Sequence, residues 1–127
     1  MNKVIMIGRI ASEIEMRNTQ SGVVTCSFRL AVNRRFKNAA GERVSDFFTV
    51  VCWRQTAEFV MRYFNKGDAI AIEGSLQTRS YDAHDGSKRY VTEIVADNAE
   101  FAGSKHDRPD EPAPDGFTEV DDGELPF

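Results

Sequence analysis

Val23-Val24-Thr25-Cys26-Ser27-Phe28-Arg29-Leu30-Ala31-Val32 is the stretch on which the fold reading turns. Val24, Cys26, Phe28, Leu30 and Val32 alternate with Val23, Thr25, Ser27, Arg29 and Ala31. A period of two with one mostly apolar face predicts a half-buried antiparallel strand. Upstream, the cluster Thr19-Gln20-Ser21-Gly22 predicts a turn. Before it, residues 3–10 form an apolar strand in which Gly8 marks a bulge or bend, and Ile14–Arg17 is an extended piece continuing that strand. Downstream, Asn33 to Arg43 is a polar, basic connection turning at Ala39-Ala40-Gly41, and Val44–Trp53 is strand again.

Only one segment has helical period. Ala57, Val60, Met61 and Phe64 fall at i, i+3, i+4 and i+7, which predicts a short helix over about 55–66. Thr56 is the expected cap, and Asn65-Lys66-Gly67 the expected C-terminal cation and glycine. Ile70, Ile72, Leu76 and Thr78 then alternate with Ala71, Glu73, Ser75, Gln77, Arg79 and Tyr81, with Gly74 as a bend. Asp85-Gly86 joins this strand to the last one, Lys88–Asn98. The expected fold class is therefore all-β. Five strands with one short helix between strands 3 and 4 match an OB-fold, a small Greek-key barrel.

The chain has 127 residues, and 41% of them are hydrophobic, enough for one packed domain. Net charge is −4, but its distribution is uneven. Residues 1–104 hold 14 Lys and Arg against 12 Asp and Glu, whereas residues 105–127 hold 2 against 8. A body at +2 thus carries a tail at −6. Pro109, Pro112, Pro114 and the acids leave that tail little to bury, so 1–104 is expected to fold and 105–127 to be a disordered acidic tail. The tail ends in an apolar cluster, Leu125-Pro126-Phe127.

No apolar run reaches the roughly 20 residues that span a bilayer, so no membrane association is expected. Met1-Asn2-Lys3 leads directly into a strand without a secretory leader, which points to the cytoplasm. Cys26 and Cys52 each sit in an apolar strand pattern and are expected to be buried, reduced thiols. His84 and His106 are isolated, so no metal or other cofactor is expected. No nucleophile or phosphate-loop motif is present, and the pairs Glu13/Glu15 and Asp82/Asp85 read as solvated loop charge. No catalytic residue is assigned.

The aromatic placement carries more information. Phe47, Trp53 and Tyr81 fall on polar sheet faces, and Phe36 lies within the most basic connection. Interleaved with them are Arg29, Arg34, Arg35, Lys37, Arg54, Arg79, Lys88 and Arg89. Single-stranded nucleic acid suits this mixture, because cations track phosphates while rings stack on unpaired bases. The same rings would also serve an RNA-binding module, or a protein-interaction adaptor. Phe28, Phe59, Phe64 and Phe101 are assigned to core or subunit packing.

Several of these segments resemble the bacterial and phage single-stranded DNA-binding protein family. They are Asn2 through Arg9, Phe28-Arg29-Leu30-Ala31-Val32, Asp46-Phe47-Phe48, and Val50 through Arg54 with Ala57-Glu58. Further on, Lys66-Gly67-Asp68, Ile72 through Arg79, and Arg89-Tyr90 with Thr92-Glu93 are similar too. The last seven residues, 121–127, look like the family's acidic tip. The resemblance implies a homotetramer that wraps single-stranded DNA without sequence preference and protects it in replication, recombination and repair. It places base stacking on Phe36, Phe47, Trp53 and Tyr81; phosphate contact is expected from Lys3 and the cations above. It also implies a tip of Asp121, Asp122, Glu124, Leu125, Pro126 and Phe127 that docks on replication, recombination and repair enzymes. Two departures accompany it. The linker between Ser104 and Asp121 is short, and Gly123-Glu124-Leu125 stands where relatives often carry another Asp and Ile.

Overall fold

The computed structural model describes residues 1–103, so the acidic tail and its tip lie outside the described residues. Six strands and one helix follow in order: β1 (Val4–Ile10), β2 (Glu15–Asn18), β3 (Val24–Lys37), β4 (Arg43–Trp53), α1 (Arg54–Tyr63), β5 (Ala69–Asp82) and β6 (Lys88–Phe101). The ladder runs β1-β5-β6-β4-β3-β2, and two further pairs, Arg9↔Ala31 and Ile10↔Leu30, join β1 back to β3. Five strands therefore close a barrel, as the OB-fold expectation requires, with α1 between β4 and β5. All neighbours are antiparallel except β4 and β6, which run parallel over Val50–Cys52 and Ile94–Ala96. The piece at Ile14–Arg17 does not continue β1. It forms the separate β2 on the edge of β3, because the chain leaves β1 after Ile10 and returns through Ser12 and Glu13.

The apolar face of the decisive stretch lines the barrel. Cys26, Phe28 and Leu30 are buried opposite Cys52, Val50 and Phe48, joined inside by Ile10, Ile70, Ile72 and Ile94. α1 covers this core with Ala57 and Val60. Its ends differ from expectation. Trp53 in extended conformation precedes the helix without a side-chain cap, while the Thr56 hydroxyl donates instead to the Asp97 carbonyl at 3.4 Å. The helix stops at Tyr63, and Gly67 (φ +97°) serves the following turn.

Gly74 sits at a register shift in the β5–β6 ladder, where a Cβ would lie 2.1 Å from the Val95 carbonyl oxygen. The predicted bend is a bulge with no room for a side chain. Gly8 is different: it pairs in register with Ile70, and a Cβ would meet the Ala31 carbonyl oxygen at 2.3 Å. It permits close approach of β1 to β3 and forms no bulge.

Two ribbons extend beyond the barrel. β3 and β4 continue past Asn33↔Ser45 to Lys37↔Arg43, so Asn33–Lys37 is strand and the connection shrinks to 38–42. β5 and β6 continue to Asp82↔Lys88 around a turn with Gly86 at φ +86°. Leu76, expected inside, is 44% exposed, two residues past Gly74, where pairing with β1 ends. Phe101 is also exposed; it stacks on buried Phe64 at 4.8 Å between centroids and lies at the barrel's rim.

Candidate nucleic-acid interface

Strand pairing decides which of the paired phenylalanines faces outward. Phe48 pairs with Leu30 and packs against the core, so Phe47, opposite Ala31, projects from the outer face and is 54% exposed. The same parity puts Thr49, Val51 and Trp53 outside, opposite Arg29, Ser27 and Thr25. Arg29, Phe47 and Trp53 therefore share one outward face. The Arg29 guanidinium carbon lies 5.9 Å from the Phe47 centroid, within cation–π range. Trp53 is 44% exposed and borders an open groove of about 710 Å³ lined by Ser21–Val24 and by Arg54, Gln55, Thr56 and Glu58. Arg54 is the one non-glycine among the described residues with positive φ (54°), the turn that swings the chain from β4 into α1.

The other two rings stand on the ribbons. Phe36, near the end of β3, is 77% exposed, with the Arg35 guanidinium 5.6 Å from its ring. Arg34 on the same ribbon makes two 2.9 Å bonds to the Asp46 carboxylate, which hold that carboxyl below the usual range. On β5, Tyr81 is 47% exposed, with Arg79 at 6.0 Å from its ring and Arg89 paired directly across on β6. Arg79 is in turn clamped by Glu93, at 2.9 and 3.3 Å.

The predicted cations thus fall into two sets. Lys3, Arg34, Arg79 and Arg89 are ion-paired, to Glu73, Asp46, Glu93 and Asp85. Arg29, Arg35, Lys37, Arg54 and Lys88 make no ion pair among the described residues. Lys3 stands apart from the rings, ahead of β1, and Lys88 lies on the ribbon face opposite Tyr81. Sequence parity also missed Tyr90. At 76% exposure it is nearly as open as Phe36, and the Asp85-Gly86 hairpin register was the signal that could have placed it opposite Ser80.

Cys26 and Cys52 face each other inside the barrel as free, buried thiols. The hydrogen bond they share and burial push the Cys52 thiol well above the ordinary range. No group of acidic, histidine or cysteine side chains able to hold a metal ion occurs among the described residues. No described helix is long and apolar enough to cross a membrane.

A model of the single-strand binding protein family matches residues 1–102. The chain belongs to this family. It is 46% identical over 105 residues to Single-stranded DNA-binding protein 3 of Listeria innocua, covering 83% of this chain and 66% of the relative. It is 45% identical over 106 residues to Single-stranded DNA-binding protein 1 of Staphylococcus aureus, covering 84% and 68%. Against Single-stranded DNA-binding protein 4 of Streptococcus agalactiae it is 40% identical over 137 residues, spanning all of this chain and 99% of the relative. The chain therefore spans about two thirds of the first two relatives and nearly all of the third. The names of these relatives describe single-stranded DNA binding.

Proposed function

We propose that this chain binds single-stranded DNA without sequence preference and protects it during replication, recombination and repair. The observation that carries the reading is the outward face holding Arg29, Phe47 and Trp53 together, flanked by ribbons bearing Phe36 and Tyr81. Open rings beside cations are what unpaired bases and their phosphates require. Phe36, Phe47, Trp53 and Tyr81 stack bases. Arg29, Arg35, Lys37 and Arg54, which make no ion pair with a carboxylate among the described residues, meet phosphates directly. Arg34, Arg79, Arg89 and Lys3 do so by sharing or exchanging their acidic partners, and Lys88 does so from the far side of its ribbon.

The chain acts as a homotetramer in the cytoplasm. Support for self-association comes from β1, where Ile5 and Ile7 are exposed while Val4 and Met6 pack inward. The tail tip, Asp121 to Phe127, recruits replication, recombination and repair enzymes. In that docking Phe127 enters an apolar pocket while a basic side chain holds its carboxylate.

The test is retention of labelled oligo-dT against a duplex of equal length in a native gel. Duplex hides the base faces, so the oligo-dT should be retained at far lower protein concentration. Equal retention of both would overturn the reading, and a clear preference for matched RNA would redirect it.

A further inference from the structure

The β5–β6 ribbon has two faces, and only one belongs to the interface described above. Beyond Gly74 the outer edge of β5 has no strand partner, and before Ile94 neither has the outer edge of β6. At Leu76 the Asn2 side chain covers the edge, accepting from the Leu76 N–H and donating to its carbonyl; from Gln77–Asp82 to Lys88–Glu93 the ribbon is two strands wide with no third strand on either edge among the described residues. On one face Tyr81 lies opposite Arg89, two residues from Arg79. On the other, Tyr90 lies opposite Ser80, between Lys88 and Thr92, in line with Leu76 and Thr78. This second face continues the inner side of the barrel past the point where the core ends.

Tyr90 at 76% exposure and Leu76 at 44% have no part in the aromatic cluster that gathers Phe59, Tyr63, Phe64 and Phe101. A ring that open is a solubility liability unless something covers it in use. We infer that Tyr90 is a fifth base-stacking residue, and that single-stranded DNA passes over an open edge of the ribbon to contact both faces. This rests on the proposed DNA reading. Continuity favours DNA as the occupant, since the opposite face of the same thin ribbon carries Tyr81 and Arg79. Lys88, free of any ion pair among the described residues, sits beside Tyr90 to meet the accompanying phosphate.

The experiment places a single tryptophan on each face in turn. Trp53 is the only native tryptophan, so Trp53→Phe, which keeps a ring there, provides a silent background. Tyr90→Trp or Tyr81→Trp is added to the full chain, its assembly mass is checked, and oligo-dT is titrated at low salt. Both reporters should lose emission saturably, with the loss receding as salt rises. In the otherwise native chain, Tyr90→Ala should weaken oligo-dT binding by about 5-fold or more while Tyr90→Phe restores it. A response at position 81 with none at position 90 overturns this inference and leaves the DNA reading intact. Silence at both positions overturns this inference and takes the ribbon out of the interface, while the gel retention of oligo-dT decides the DNA reading separately. Emission at position 90 that follows protein concentration but ignores DNA would show that a second copy of the chain covers this face.

Discussion

Phe47 is half exposed on the outer face, its ring beside Arg29, so truncating it removes little that the barrel needs. Phe47→Ala should leave the melting temperature nearly unchanged while weakening oligo-dT binding about 5- to 150-fold. That range corresponds to roughly 1–3 kcal/mol for one stacked base. An isothermal titration showing unchanged affinity would remove Phe47 from the interface. Gly74 presents the opposite case. Its missing side chain faces backbone, the Val95 oxygen at 2.1 Å and the Ala96 Cα at 2.9 Å, and neither can rotate away. Gly74→Ala should cost about 1–3 kcal/mol of stability. Thermal unfolding would read this as a drop of roughly 4–8 °C for each kcal/mol.

Among the elements, the β3–β4 ribbon is braced by the Arg34–Asp46 pair and the Ser45–Asn33 hydrogen bond, because past Asn33↔Ser45 the ladder shifts register and no core residue lies beneath it. Arg34 holds the Asp46 carboxyl below its ordinary value of 3.8, so the pair's contribution is present above that value. It is lost as pH falls through the lowered one. Asp46→Asn should bring this loss to neutral pH. Amide exchange should quicken at 33–37 and 43–46 and stay unchanged in the barrel, while the released Arg34 steepens the salt dependence of DNA binding by about 0.7. Unchanged exchange in the ribbon would show that the pair does not order it. The same ribbon marks where sequence reading stops. Val24 to Val32 was legible because one face is buried and the period of two is visible. Asn33 to Lys37 is polar on both faces and has no such period. Parity likewise put Leu76 on the correct side of β5, but it cannot tell whether anything covers that side. Phe47 against Phe48 and the exposure of Tyr90 needed the cross-strand register.

For the whole molecule, charge partition governs binding. On the proposed reading, the body at +2 meets DNA through cations that make no ion pair among the described residues, and the tail at −6 is expected to repel DNA or compete for the same basic surface. Deleting 121–127 removes three of the tail's carboxylate side chains, Asp121, Asp122 and Glu124. DNA affinity should then stay equal or rise slightly while enzyme recruitment is abolished. Pull-down and filter binding on the same preparation would check both, and a large loss of affinity would contradict the division of labour between body and tail.

Trp53 is a single intrinsic reporter seated on the proposed contact face, so its emission during an oligo-dT titration reads whether bases lie there. Bases lying against the indole should quench it saturably at low salt, and added salt should reverse the quench. Emission that stays constant through a titration in which DNA is shown to bind would place the nucleotides somewhere other than this face.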